Sequence, residues 1–130
     1  IDIYMPDMKY GDAETGWKYS RIKNYPAVNQ RAVLEMQRQV GDLKLGEAGI
    51  AYRGLLVRHL VLPNNLASSE KILNFLVEKV SKNVYLNIMA QYHPAFKASN
   101  FTELNRRIRP GEFREIIQLA EDLGLSRLDV

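Results

Sequence analysis

Three short apolar runs, each followed by a polar cluster and then by a helical pattern, constrain the fold of this chain most strongly. They are Ile1–Met5, Leu55–Leu62 and Val84–Ala90. Apolar runs of this length, rich in aliphatic residues, are typical of strands that are buried on both faces of a parallel sheet. Right-handed helical crossovers between such strands would make them about half of a (β/α) barrel or one side of an open sheet. The pattern therefore predicts an α/β fold with three parallel strands.

Helical spacing predicts the segments that join these strands. A helix should run from Pro26 to Gly41, and a second should begin at a capping Ser68 or Ser69 and end before Asn83. A third should run from Pro110 to Gly124. Residues 11–16 are expected to form a loop, residues 41–54 a small β-hairpin insertion, and residues 102–108 a short helix. Residues 125–130 either begin another strand or end the chain without regular secondary structure.

Composition narrows the classes of function. The 130 residues suffice for one modest domain, and no apolar run approaches the roughly 20 residues that span a bilayer. No secretory leader is visible, so no membrane contact and a cytoplasmic location are expected. The net charge is only +3, and the one basic group, Arg106 to Arg109, is expected to be a solvated helix end, so nucleic-acid binding is not predicted.

The absence of cysteine excludes disulfides, a thiol nucleophile and any thiolate metal site within these residues. Two histidines are too few for a histidine-rich metal site. The chain also begins at Ile1 inside a strand pattern, without an initiator methionine, which favours a piece of a longer protein. We therefore expect one fragment, residues 1–130, with no metal site of its own.

Polar residues at the ends of the strands are the candidate ligand contacts, because ligands gather at the C-terminal ends of parallel strands. Asp7 and Lys9 stand two apart and share a face. They either hold a zwitterionic or hydroxyl-bearing ligand or form a mutual surface ion pair.

Arg58 interrupts the second apolar run, where a guanidinium requires an anion if it is buried. Its partner is a ligand carboxylate, Asp7 or an acidic residue of a neighbouring strand, unless this strand is exposed. His59 points to the opposite face and is expected to be a hydrogen-bonded core histidine. His93, before Pro94, either contacts a heterocyclic ligand or bonds to loop backbone.

Three motifs in this order resemble the C-terminal half of radical S-adenosylmethionine (SAM) proteins related to the pyruvate formate-lyase activating enzymes. They are residues 4–11 (YMPDMKYG), 58–64 (RHLVLPN) and 87–94 (NIMAQYHP). The resemblance implies a fragment of a partial TIM-like (β/α)6 barrel. It also implies an oxidoreductase or activase that cleaves SAM reductively, with a [4Fe-4S] cluster, to a 5′-deoxyadenosyl radical.

The same resemblance implies a role for each candidate residue. Asp7 and Lys9 would contact the ribose and methionine part of SAM, and Arg58 would face that same end of the cofactor. His93 would lie near the adenine. A glycyl-radical-type protein substrate and a flavodoxin- or ferredoxin-like electron donor are the implied partners.

The chain departs from that family in lacking the CxxxCxxC cluster loop and the glycine-rich segment that follows the second barrel strand. The 130 residues alone are therefore expected to bind no cluster or SAM and to contain no catalytic residue. Half a barrel would also expose a strand edge at Ile1–Met5, through which the fragment could dimerise.

Two other interpretations are open. One is a fragment of another (β/α) barrel enzyme, in which Asp7 and Lys9 perform acid–base or Schiff-base chemistry. The other is a non-catalytic module that binds a protein or a small anion.

Overall fold

The computed structural model describes residues 2–94 and 100–130, which form an α/β fold around a five-stranded sheet. The strands are β1 (Ile3–Tyr4), β2 (Lys44–Leu45), β3 (Ala51–Leu60), β4 (Tyr85–Met89) and β5 (Leu128–Asp129). The helices are α1 (Ala13–Ser20), α2 (Tyr25–Val40), α3 (Ser69–Phe75) and α4 (Pro110–Asp122). No helix in the described ranges has both the length and the apolar character that a membrane span needs.

Four strands of the sheet are parallel and stand in the order β1-β3-β4-β5. This confirms the predicted parallel α/β fold, and β5 shows that the chain after residue 125 returns to the sheet as a fourth parallel strand. The short strand β2 pairs antiparallel with the start of β3, so the predicted hairpin insertion is also confirmed.

Helices cover one face of the sheet. Along β3, the side chains of Leu55, Val57 and His59 are fully buried, whereas the residues between them are only partly buried. The buried face packs against apolar residues of α2, α3 and α4, including Val33, Leu73 and Ala120. The expectation that this strand is buried on both faces is therefore wrong for its second face, which is only partly buried among the residues that the structure describes.

The loop predicted at residues 11–16 is wrong from residue 13 onward, because residues 13–20 form α1. Gly16, which suggested a loop, is buried inside this helix, and a Cβ atom there would lie 3.0 Å from Cβ of Tyr25. A glycine in this helix therefore serves the close approach of α1 to α2.

Two predictions further along the chain need correction. The segment 102–108 forms only a single 3₁₀ turn at Thr102–Leu104. Ser68 does occupy the position before α3, but its hydroxyl donates to Asp12 and not to the helix end. The helix continues beyond Phe75 as a π-helical turn at Leu76–Val80, which ends before Asn83 as predicted.

Candidate functional site

The register of the sheet brings Asp7 beside Arg58. Ile3 pairs with Gly54 and Tyr4 with Leu55, and the same offset continues to a parallel bridge between Asp7 and Arg58. Backbone hydrogen bonds fix this pairing, from Met8 N–H to the carbonyl of Arg58 and from Arg58 N–H to the carbonyl of Pro6, both 2.9 Å. Residues paired in parallel strands point to the same face, so both side chains lie on the face that the helices leave open.

Alternation then returns Lys9 to the same face. Met8, between the two polar residues, is 1% exposed in the core, while Asp7 and Lys9 are exposed. This is the shared orientation that the spacing of Asp7 and Lys9 predicted.

A cavity of about 420 Å³ lies at these strand ends. Its described lining comes from the segment after β1, from alternate residues at and just beyond the end of β3, and from the end of β4 and the residues that follow it, together with Ser20 of α1. The lining residues are Asp7, Met8, Lys9, Tyr10, Ser20, Arg58, Leu60, Leu62, Met89, Gln91 and Tyr92. A carboxylate, an ammonium and a guanidinium thus share one partly apolar cavity.

Arg58 keeps much of its hydrogen-bonding capacity. Its side chain is 42% exposed, with Nη1 3.6 Å from Oδ1 of Asp7 and Nη2 3.6 Å from Sδ of Met89. The contact with Asp7 is long for a hydrogen bond, whereas 3.6 Å is an ordinary distance for a hydrogen bond to sulfur. A guanidinium carries five N–H donors. Of the partners predicted for Arg58, Asp7 is the one found, and the partial exposure leaves donors available to a bound anion.

His93 does not join the other three predicted residues. It lies in the irregular segment after β4, is exposed, and is not among the described residues that line the cavity. The structure thus brings together Asp7, Lys9 and Arg58 and leaves the histidine outside.

His59 is the core histidine that the sequence predicted. It is fully buried, with Nδ1 2.7 Å from the carbonyl oxygen of Met8 and Nε2 2.7 Å from Oγ of Ser69. A carbonyl only accepts, so Nδ1 donates to Met8 and the neutral ring accepts from Ser69. Burial lowers the pKa of His59, which keeps the ring neutral.

Two residues of α2 that the sequence reasoning missed also hold the segment after β1. The hydroxyl of Tyr25 accepts from Lys9 N–H at 2.8 Å, and Nδ2 of Asn29 donates to the carbonyl of Asp7 at 3.0 Å. Neither residue carries a motif, and only their helical spacing of four places them on one face. The alternation from Arg58 to Leu60 and Leu62, by contrast, could have identified those two as lining residues.

A second cavity, of about 370 Å³, lies between the end of β3 and α4 and has an acidic rim. Its Glu112 pairs with Arg106 at 2.7 Å, and this contact lowers the pKa of Glu112 to about 2. Arg106 also donates to Oδ1 of Asn64 at 2.9 Å. The view of Arg106 as part of a solvated helix end is therefore wrong, because the residue ties two loops to α4.

The two cavities differ in what they can bind. The charged groups of the acidic rim are partly neutralised by Arg106, and the described residues contain no group of three side chains arranged to ligate a metal ion. The cavity with Asp7, Lys9 and Arg58 offers both signs of charge and apolar walls. It suits a small zwitterionic molecule with hydroxyl groups and an apolar part.

Comparison with known proteins shows similarity to a longer archaeal protein. The chain is 32% identical over 127 residues to an uncharacterized protein of Methanocaldococcus jannaschii. The alignment covers 97% of this chain but 33% of that protein, so the chain spans about a third of the length of the curated relative that it matches. No protein-family model matches the chain, and no solved structure does.

Proposed function

We propose that these 130 residues are the C-terminal half of the barrel of a radical SAM enzyme similar to the pyruvate formate-lyase activating enzymes. The observation that carries this proposal is the meeting of Asp7, Lys9 and Arg58 in one cavity at the C-terminal ends of parallel strands. Side chains from separate strand ends converge in this way on ligands of (β/α) barrels.

The open face of the sheet supports the fragment of a TIM-like barrel. In a closed or partial barrel, one face of every strand points to the interior and the other to the helices. Here the face away from the helices carries half-buried residues in register, with Leu56 opposite Tyr85 and Leu60 opposite Met89. These would line the barrel interior in the full-length protein, and the greater length of the similar archaeal protein agrees with a larger whole.

The residues of the cavity fit SAM chemically. Asp7 can accept from ribose hydroxyls or the methionine ammonium, and Lys9 and Arg58 can donate to its carboxylate. Arg58 has donors to spare, since its contacts with Asp7 and Met89 leave other N–H groups of the guanidinium for a ligand. Leu60, Leu62 and Met89 supply apolar wall. His93 is assigned to the adenine by resemblance alone, because it lies outside the cavity.

The [4Fe-4S] cluster does not fit these residues, because thiolates are its ligands and the chain has no cysteine. Its ligands would come from another part of the full-length protein, and this chain alone is proposed to be inactive. SAM, once bound and cleaved reductively, would supply a 5′-deoxyadenosyl radical for hydrogen abstraction. A glycyl-radical-type protein as the substrate, a flavodoxin- or ferredoxin-like donor and a cytoplasmic location complete the proposal.

The test compares two matched arginine variants in the full-length protein. Arg58→Gln removes a guanidinium paired with Asp7 at 3.6 Å, and Arg53→Gln removes one paired with Asp2 at the same distance. Both side chains are 42% exposed on β3. After cluster reconstitution, SAM affinity and 5′-deoxyadenosine formation are measured. Arg58→Gln should weaken SAM binding roughly 10–100-fold, the effect of one charged hydrogen-bonding group.

Arg53→Gln should match the unmutated protein. Absence of 5′-deoxyadenosine from the reconstituted protein would contradict the proposal, as would equal behaviour of the two variants. The sequence preceding Ile1 in the full-length protein gives an independent check, since the proposal requires a CxxxCxxC motif there.

One observation favours a second candidate, a barrel enzyme of another class. Lys9 makes no salt bridge with any residue in ranges 2–94 and 100–130, although it lines the cavity beside Asp7. A lysine with an adjacent carboxylate can form a Schiff base with a carbonyl substrate. Borohydride reduction in the presence of pyruvate or a sugar aldehyde, followed by peptide mass analysis, would detect a secondary amine on Lys9.

A further inference from the structure

We propose that Tyr25 and Asn29 of α2 are positioning residues, which hold the segment Asp7–Lys9 so that the side chains of Asp7 and Lys9 face the cavity. Neither residue lines the cavity itself. The role of these residues in SAM binding rests on the proposed function. Their hydrogen bonds to the segment Asp7–Lys9 are independent of it.

The hydroxyl of Tyr25 bridges the two ends of the segment. It accepts from Lys9 N–H at 2.8 Å and makes a longer contact of 3.5 Å with the carbonyl of Asp7. Burial raises the pKa of Tyr25, so the hydroxyl stays protonated and can donate while it accepts. One side-chain atom therefore serves the backbone of both residues that carry the ligand-facing groups.

Asn29 adds a second donor to the same carbonyl. Its Nδ2 lies 3.0 Å from the carbonyl oxygen of Asp7, while its Oδ1 is buried without a hydrogen-bond partner in the described structure. The opposite amide orientation would set two oxygens against each other, so the donor must face Asp7. A buried acceptor without a partner destabilises the folded state, and the hydrogen bond from Asn29 to Asp7 offsets part of that loss.

The other side of the segment is held by β3. Met8 N–H donates to the carbonyl of Arg58 at 2.9 Å, and the carbonyl of Met8 accepts from His59 at 2.7 Å. Two elements thus hold three consecutive residues whose own conformation is neither helix nor continuous strand. A site held in this way needs little rearrangement when a ligand binds, and small displacements of such groups weaken binding strongly.

Tyr4 offers a matched control. Its hydroxyl also ties the β1 region to α2, by donating to Oε1 of Gln39 at 2.7 Å, but it does not touch the segment Asp7–Lys9. Tyr25→Phe and Tyr4→Phe therefore each remove a hydroxyl group that links the β1 region to α2. Both keep the ring, including the edge-to-face contact of Tyr25 with Tyr10.

The first measurement is amide hydrogen exchange of the 130-residue chain by NMR. Tyr25→Phe should speed exchange of the Lys9 amide about tenfold or more, since its acceptor is lost. The Met8 amide, bonded to β3, should change much less, and Tyr4→Phe should leave both unchanged. Unchanged exchange at Lys9 in Tyr25→Phe would overturn the inference.

The second measurement is SAM binding and turnover in the reconstituted full-length protein. Tyr25→Phe should raise the KM for SAM about tenfold and change kcat much less, because it misplaces binding groups. Equal KM values for the two tyrosine variants would overturn the positioning role while leaving the proposed function intact. If the unmutated protein binds no SAM, the proposed function and the role in SAM binding both fail, and the exchange data still decide whether α2 holds the segment.

Discussion

A pair of polar side chains inside the apolar core links the candidate site to the rest of the protein. His59 and Ser69 are 0% and 1% exposed, and their hydrogen bonds run from the carbonyl of Met8 to the first residue of α3. Buried polar groups with every partner in place fix one arrangement, and they become costly when one partner is lost. The position of Met8, and with it the direction of Asp7 and Lys9, therefore depends on the buried ring of His59.

The burial of the His59 ring predicts a loss of stability in mild acid. The pKa of His59 is lower in the folded chain than in the unfolded chain, so the unfolded state takes up a proton first. The contribution of His59 should be complete above pH ~6.5, its ordinary pKa, and decline as the pH falls below it. Urea unfolding between pH 5 and 8 measures this.

The variant His59→Asn keeps a donor near Met8 but cannot titrate. It should lower the free energy of unfolding at pH 8 by about 1–3 kcal/mol, since Ser69 loses its partner. It should also have a flatter pH dependence than the unmutated chain. Equal slopes for the two proteins between pH 5 and 6.5 would show that His59 does not control this transition.

Among the elements, β3 does most to organise the site, because it pairs with β1, β2 and β4 and carries Arg58. Gly54 allows this pairing. Its φ is +119°, and a Cβ atom there would lie 2.4 Å from the carbonyl oxygen of Asp42 and from Cα of Leu43. The hairpin backbone therefore crosses β3 at a point where only glycine fits.

We expect Gly54→Ala to lower the free energy of unfolding by roughly 2–4 kcal/mol, the combined scale of a strained φ and an overpacked contact. Gly46→Ala, in the same hairpin, is the control, because its added Cβ would meet Tyr52 at an ordinary 3.5 Å. Chemical denaturation of both variants gives the comparison. A loss below about 0.5 kcal/mol for Gly54→Ala would mean that the hairpin shifts freely.

For the molecule as a whole, the sheet has an open face and β1 at its edge. Met5, which follows β1, is 59% exposed. Exposed apolar residues beside an unpaired strand edge favour association with another chain. In the full-length protein that we propose, the remaining barrel strands would cover these groups.

The isolated 130-residue chain is therefore predicted to dimerise through its β1 edge. Sedimentation equilibrium should show a dimer that dissociates on dilution, and Met5→Lys should weaken it at least about tenfold, because a charge blocks edge pairing. Ile50→Lys provides the control, since Ile50 is 69% exposed on the hairpin away from β1. Equal effects of the two lysines, or a monomer at all concentrations, would rule out the edge as the interface.

The sequence alone determined the parallel α/β fold, the shared face of Asp7 and Lys9, and the burial of His59. These follow from local periodicity, which the chain displays residue by residue. The sequence did not predict α1, because Gly16 suggested a loop. A glycine is needed there for the close packing against Tyr25, nine residues away, which local periodicity does not show.

Only the tertiary structure decided that Asp7 partners Arg58 and that His93 lies outside the cavity. It also decided that α2 forms hydrogen bonds to the backbone of Asp7 and Lys9. Each of these depends on strand register and helix packing, which join residues up to about fifty positions apart. A single sequence displays the spacing of neighbours along the chain, but register is set by the sum of many distant contacts.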